Sequence, residues 1–289
     1  MNRNLGLGAM LAVAAIGALA MAAPARADEW SKTYQISQRA DLHVTTDDGN
    51  VNIISSDQKQ IDAHVTTTGG FRIGPSDVRI EENQSGDRVE ISVKLPRMSF
   101  HLFGGSHGSV RVDVRVPRDL DLDIHTGDGN IAMQPVAGRI RIDTGDGNVT
   151  ADGVRGTVRM HSGDGHIDGT NMDGSLDVDT GDGRINVRGR FDALNLKTGD
   201  GSIEAEASSG SKIISSWTLR SGDGHINLRL PSDFGADLDA HTGDGHITLD
   251  IPISVTGSLS HSSIHGKLNG GGGSLSISSG DGSIHLEKS

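Results

Sequence analysis

The amino-acid sequence predicts an all-β fold, a single-chain parallel β-solenoid with coils of about 18–23 residues. Three observations predict it: a six-residue signature that recurs along the chain, alternating apolar and polar residues around each copy, and an unusual composition. Of 289 residues, 41 are Gly and only 3 % are aromatic, so the chain lacks the large side chains on which irregular cores usually rely. Repeated layers of Ile, Val, Leu and Ala suit this composition better.

The signature has the pattern [ST]-G-D-G-x-[IV]. Its eight copies begin at Thr126, Thr144, Ser162, Thr180, Thr198, Ser221, Thr242 and Ser279. A diverged copy begins at Thr46. The first five copies are spaced by 18 residues, and the later gaps are 23, 21 and 37 residues. We expect the longest gap to hold two coils, the middle one having lost its signature near Ser262-Ser263-Ile264.

Apolar residues alternate with polar ones on both sides of each signature. Ile140 and Ile142 precede Thr144, and Ile185 and Val187 follow the copy at Thr180. This period of two places the apolar residues and the signature Ser/Thr on one face of a strand. Gly-Asp-Gly predicts a tight corner between two strands, since Gly permits positive φ and Asp accepts turn hydrogen bonds. Further Gly residues, such as that of Arg155-Gly156, predict a second corner per coil.

Two other repeat architectures fit less well. A propeller blade needs roughly 40 residues per repeat, more than this period supplies. A left-handed hexapeptide helix requires an aliphatic residue at every sixth position, but the positions after Val149 are Arg155 and His161. We expect right-handed winding, because parallel crossover connections nearly always have that hand.

The sequence divides into three parts. Residues 1–27 have a short basic head, an apolar run and an Ala25-Arg26-Ala27 pattern, which predicts a cleaved signal peptide and a mature N-terminus at Asp28. Residues 28–120 are predicted to form irregular N-terminal coils or a cap, and residues 121–289 the regular Gly-Asp-Gly solenoid. The protein is therefore expected to be exported, to the periplasm or the outside of the cell. With no Cys, it can form neither disulfides nor thiolate metal sites.

The net charge of the chain indicates which kinds of partner it can bind. The net charge is −12, and about −14 once the two Arg of residues 1–27 are removed. An acidic surface repels phosphate backbones, so we expect no nucleic-acid partner. No stretch after the signal peptide is long and apolar enough to span a membrane, so no membrane insertion is expected after cleavage. A protein or a cell-surface glycan is the expected partner, and the oligomeric state is left open.

The signature, the leader and the late Leu268-Asn269 run with its following Gly residues resemble the bacterial family of candidate adhesins called domain of unknown function 4097. The V-P-x-x-[LF]-x-L phrase that begins at Val116 is also typical of that family. The resemblance covers most of residues 40–289. It implies a β-solenoid envelope protein with an adhesin role, and it implies no catalytic residues.

Two rows of side chains are the candidate metal ligands. The corner carboxylates should form a ladder along one edge; they belong to Asp128, Asp146, Asp164, Asp182, Asp200, Asp223, Asp244 and Asp281. The His residues beside corners are His161, His166, His241 and His246. The favoured interpretation is a solvated edge whose carboxylates bond to turn amides, with the His filling outward positions. The alternatives are Ca²⁺ between successive corners and loosely bound zinc at His-Asp groups.

We expect no catalytic residue and no cofactor, because a feature copied eight times is a structural device rather than a unique site. The inward Ser/Thr hydroxyls should form hydrogen bonds to the corner amides or a ladder with one another. The predicted function is a non-enzymatic envelope or secreted protein that acts as an adhesin or interaction scaffold. The alternatives are a divalent-metal-binding module and a polysaccharide lyase or hydrolase. For the enzyme, Arg184, Arg188 and Arg190 beside Asp182 are the nearest candidate cluster.

Overall fold

The computed structural model describes residues 28–95, 108–255 and 260–289, and the predicted signal peptide lies outside these ranges. The described chain is all-β, with 23 strands. No helix in those ranges is long and apolar enough to cross a membrane. The predicted fold class is confirmed: parallel strands stack coil upon coil.

The strands form two faces around a common interior. The leading face contains the strands that run toward the signature together with those paired beside them. They are β2 (Ala40–Thr46), β5 (Arg79–Ser85), β6 (Arg88–Lys94), β8 (Leu120–Thr126), β10 (Ala137–Thr144), β12 (Arg155–Ser162), β16 (Ser216–Ser221), β18 (Ala236–Thr242), β20 (Ile253–Val255), β21 (Ser263–Leu268) and β22 (Gly273–Ser279). The trailing face contains the strands that follow the signature and their neighbours. They are β1 (Asp28–Gln35), β3 (Asn50–Ser56), β4 (Gln60–Thr68), β7 (Ser109–Pro117), β9 (Ile131–Met133), β11 (Val149–Asp152), β15 (Ile203–Ala207), β17 (Ile226–Leu230), β19 (Ile247–Leu249) and β23 (Ile284–Lys288). Two long strands, β13 (Ile167–Thr180) and β14 (Ile185–Thr198), pass from the trailing to the leading face through the second corner.

The repeat sets the register of the stack. Thr126 pairs with Thr144, Thr144 with Ser162, and Ser162 with Thr180, all in parallel strands one repeat apart. The longer coil that follows Thr198 keeps this alignment, since Thr198 pairs with Ser221. Coils of 18 and 23 residues therefore place identical positions above one another. The right-handed sense of winding remains a prediction.

Aliphatic side chains fill the interior in rows. Ile142, Val178 and Leu196 occupy the same position in different coils, and each is 0 % exposed. One aromatic cluster interrupts these rows: Trp217 packs edge-on against Phe191, with ring centroids 6.2 Å apart, and lies 4.8 Å from Phe234. Trp217 lies in the 23-residue coil that follows Thr198.

The order of coils in space differs from their order in the chain. The coil of β22 and β23, the last in sequence, lies between the coil of β16 and β17 and that of β18 and β19. At the other end, the coil of β2 and β3 lies between β6 with β7 and β8 with β9. The expectation of a lost coil near Ser262-Ser263-Ile264 is therefore wrong: this segment enters β21, which is antiparallel to β18.

Antiparallel strands close both ends. At the N-terminal end, β1 and β4 extend the trailing face and β5 extends the leading face, while β20 and β21 extend the leading face at the other end. The Lys32 ammonium pairs with Glu82, and the Tyr34 hydroxyl donates a 3.2 Å hydrogen bond to that carboxylate. Burial, reinforced by Glu82, raises the pKa of Tyr34 above its ordinary value. These polar contacts join β1 to β5 at the N-terminal end of the stack.

The division of the chain at residue 120 into an irregular N-terminal part and a regular solenoid remains our proposal.

Candidate functional site

The Gly-Asp-Gly corners lie directly above one another, as predicted, but their glycines are required for a different reason. None of them has positive φ. Instead, a Cβ at Gly147 would lie 2.1 Å from the carbonyl oxygen of Gly129 in the preceding coil. At Gly165 the corresponding distance to the Gly147 oxygen is 2.0 Å. The predicted explanation by positive φ is therefore wrong, and the glycines are required because the corners stack backbone on backbone.

Positive φ is found at the second corner. Gly156 and Gly174 have φ values of 111° and 126°, a region that side-chain-bearing residues rarely adopt. A Cβ at Gly174 would also lie 2.2 Å from the Gly156 carbonyl oxygen. The coils of Gly156 and Gly174 therefore have one corner set by close stacking and another set by both stacking and backbone conformation.

The inward Ser/Thr row binds the corners together. The Thr180 hydroxyl lies 3.0 Å from the Gly165 carbonyl oxygen and 3.1 Å from that of Gly163, both in the preceding coil. The Ser162 hydroxyl accepts a 3.0 Å hydrogen bond from the Gly165 amide of its own corner. These hydroxyls thus form hydrogen bonds with backbone groups at the buried side of the corners, which is a structural role.

The corner carboxylates form the predicted ladder, and all of them are exposed. The Asp146 amide donates a 3.4 Å hydrogen bond to the carboxylate of Asp128. In this contact a corner carboxylate binds an amide of the next corner. Among the described residues, no group of three or more His, Cys, Asp or Glu side chains is close enough together to hold a metal ion. Ca²⁺ between corners remains an untested prediction.

The four candidate His residues are spread over both faces. His161 and His241 lie on the leading face, on β12 and β18, whereas His166 and His246 follow their corners onto the trailing face. The Nδ1 of His161 lies 3.7 Å from Asp179, and the ring of His246 lies 6.3 Å from that of His261. The Nδ1 of His166 accepts a 3.1 Å hydrogen bond from the Arg184 amide, which fixes the proton on the opposite nitrogen. These residues therefore do not converge on one site.

The arginines near Asp182 do not converge either. Arg184 and Arg188 point outward from the trailing face, whereas Arg190 lies at the second corner. Its guanidinium donates hydrogen bonds to Asp192 and Asp173, 2.6 and 2.5 Å long, and these carboxylates raise the pKa of Arg190. The same interaction lowers the pKa of Asp192. This cluster ties one corner together.

A large groove, which the sequence analysis did not identify, lies on the part of the chain that the structure describes. It has a volume of about 860 Å³ and runs along the outer surface of the leading face, from Arg88 to Thr218. Its polar lining comes from outward positions three and five residues before each signature Ser/Thr. These residues are Asp41, His43, Asp121, Asp123, Arg139, Arg141, Thr157, Arg159, Ser175, Asp177, Ala193, Asn195, Ser216 and Thr218. The constant offset of these positions from the signature is the sequence feature from which the groove could have been predicted.

Ion pairs organise one end of this groove. The Arg139 guanidinium lies 2.7 Å from Asp121, and Arg39 reaches the same carboxylate at 2.9 Å. The hydrogen bond from Arg139 holds the pKa of Asp121 below its usual range. Further along, Arg159 lies 2.6 Å from Asp177. The groove is therefore lined with fixed charges followed by small hydroxyl and amide side chains.

In-register parallel coils and antiparallel strands at both ends define a β-solenoid protein, and a long groove runs along its leading face. The family model described as Toastrack DUF4097 matches residues 39–287, and the chain belongs to this family. This match confirms the resemblance drawn from the Gly-Asp-Gly repeat. No curated protein matches the chain.

Solved structures are similar to the chain at low sequence identity. A candidate lipid-binding protein from Parabacteroides distasonis ATCC 8503 is similar with a TM-score of 0.50 and 15 % identity, over 90 % of this chain and 96 % of that one. A candidate adhesin from Bacteroides fragilis NCTC 9343 has a TM-score of 0.45 and 10 % identity, over 90 % of this chain and 97 % of that one. At these identities, only the first likeness bears on the fold, and it agrees with the solenoid described above.

Proposed function

We propose that the protein is an exported, non-enzymatic adhesin or interaction scaffold of the cell envelope that binds its partner along the leading face. The observation that carries this proposal is the groove. It is open, bordered by charged and hydroxyl side chains and shared by eight neighbouring strands, so it offers a continuous surface rather than a single enclosed site. Family membership supports the proposal, because the resemblance to that family implied an adhesin role.

The chemistry of the groove favours binding over catalysis. A general acid must hold a proton near neutral pH, but the Arg139 guanidinium keeps Asp121 ionised by lowering its pKa. The other lining side chains are distributed over successive strands, whereas a catalytic site needs groups that converge on one reacting atom. Export is supported by the leader pattern of residues 1–27.

Attachment of protein-coated beads to cells or isolated envelopes tests the proposal. We expect saturable attachment that free protein competes away. Thr157→Trp should weaken it several-fold, because Thr157 is exposed and lines the groove. Thr150→Trp is the matched control, since Thr150 is an exposed Thr on the trailing face of the adjacent coil.

Two results would count against the proposal. If wild-type beads do not attach to any cell or envelope preparation, the adhesin role is wrong. If both Trp variants attach like the wild type, the binding surface lies elsewhere. Export is checked separately, by fractionating the producing cells and sequencing the N-terminus of the processed form, which should begin at Asp28.

A further inference from the structure

We propose that the leading-face groove binds an acidic polysaccharide and that Arg141 is the contact for its carboxylate groups. This inference rests on the proposed function, since it names the partner that the same surface takes. The structural basis is a pair of arginines held side by side, of which Arg159 forms an ion pair while Arg141 forms none with the described residues.

Arg141 and Arg159 are direct cross-strand neighbours in parallel register on β10 and β12. Both are exposed and line the groove. Like charges opposite one another destabilise a sheet. The Arg141–Arg159 pair therefore lowers the stability of the fold, and a bound anion would offset this repulsion. Arg159 is bound by Asp177 at 2.6 Å.

Arg141 has no comparable partner. Within the described ranges no carboxylate oxygen lies within 4.0 Å of its guanidinium, although Asp123 is its register neighbour on β8. The Asp123 carboxylate instead lies 3.8 Å from the His43 ring. Arg141 is thus a guanidinium in the groove that is available to an external carboxylate, for which its planar fork is well suited.

The charge of the groove also differs from that of the whole protein. Its lining contains four Arg and four Asp, so it is formally neutral, whereas the chain carries −12. An anionic polymer repelled by most of the surface is therefore repelled least along this face. The eight strands from β6 to β16 span about 34 Å at the usual strand spacing of about 4.8 Å, which suits an extended chain rather than a small molecule.

A glycan fits the lining better than an acidic peptide does. Every strand that crosses the groove is hydrogen-bonded on both sides, so a peptide cannot add a strand there. The lining contains no Phe, Tyr or Trp, and its aliphatic members, such as Val158 and Leu194, are buried. Thr157, Ser175 and Asn195 offer hydrogen bonds to sugar hydroxyls.

Calorimetric titration of the purified protein tests this inference, with polygalacturonate oligomers as the probe and neutral dextran, dextran sulfate and poly-glutamate as comparisons. We expect polygalacturonate to bind, to bind more weakly as salt increases, and to bind Arg141→Ser about tenfold more weakly, since a charge-assisted hydrogen bond contributes about 1.5–3 kcal/mol. Arg184→Ser, an exposed Arg on the trailing face, should bind like the wild type. Ser276 and Ser202 occupy the equivalent positions in other coils, so both variants should fold.

The outcomes separate this inference from the proposed function. Equal affinities for Arg141→Ser and Arg184→Ser, or no binding of polygalacturonate, overturn the assignment. Preference for poly-glutamate overturns the glycan, and preference for dextran sulfate overturns the carboxylate. If beads still attach to cells in any of these cases, the adhesin role stands and only its ligand is wrong. If beads never attach while polygalacturonate binds in an Arg141-dependent manner, the groove is a glycan site but the adhesin role fails.

Discussion

Replacing Gly165 by Ala should disrupt the stack far more than the size of one methyl group suggests. The new Cβ would lie 2.0 Å from the Gly147 carbonyl oxygen, whereas real Cβ atoms essentially never approach closer than 3.0 Å, so the corners would have to separate by about 1 Å. The obstacle is backbone, which cannot rotate away. Separation would also stretch the 2.9 Å hydrogen bond from the Ser162 hydroxyl to the Gly147 carbonyl oxygen, which spans the same interface.

Overpacking of this kind costs about 1–3 kcal/mol, and we expect the upper end because neither corner can relax alone. A loss of about 3 kcal/mol lowers the melting temperature by about 6–12 °C in a chain of this size. Thermal unfolding followed by circular dichroism measures the shift. Gly74→Ala is the control, because nothing lies within 4 Å of a Cβ at Gly74 and its φ is not in the left-handed region. Equal melting temperatures for the two variants would refute the backbone-stacking explanation.

Three further changes test the interior and the surface charges. Thr180→Val keeps the shape but leaves the buried Gly165 carbonyl without its donor, so denaturant titration should show a loss of about 1–3 kcal/mol; no loss would mean that water replaces the hydroxyl. Trp217→Ala should cost about 3–5 kcal/mol in the same measurement, because the indole is 0 % exposed, and a cost below that of an ordinary surface change would contradict its burial. Asp121→Asn tests pH dependence: Arg139 lowers the pKa of Asp121 in the folded protein, so the wild type should exceed the variant in stability above the unfolded pKa of about 3.9 and lose that advantage as pH falls through the folded value. A stability difference that stays constant from pH 7 to pH 2 would show that the ion pair does not contribute.

The exchanged order of coils has a simple physical origin. Ser279 pairs with Ser221 on one side and with Thr242 on the other, and all three begin the same signature. Since each signature presents the same corner, hydroxyl and aliphatic rows, a coil stacks equally well on any other coil. The chain can therefore place its last coil between two earlier ones while keeping the signatures in register.

The groove shows a similar division between local pattern and spatial arrangement. The period of two predicted that Arg141 and Arg159 point outward, and the 18-residue spacing placed them in register. What the sequence analysis did not provide was the distance to each carboxylate. Arg159 reaches Asp177, while Asp123 faces His43 and leaves Arg141 unpaired. Long side chains choose among several neighbours, and only coordinates show which contact forms.

The sequence by itself determined the solenoid, the length and register of its coils and the inward Ser/Thr row, because these follow from residues that repeat at a constant interval. Only the tertiary structure decided the order of the end coils, the antiparallel strands that close them and the reason for Gly at the corners. The physical reason is that a repeat specifies how any coil contacts a neighbour, whereas the identity of that neighbour, and the distance between their backbones, are properties of the assembled stack.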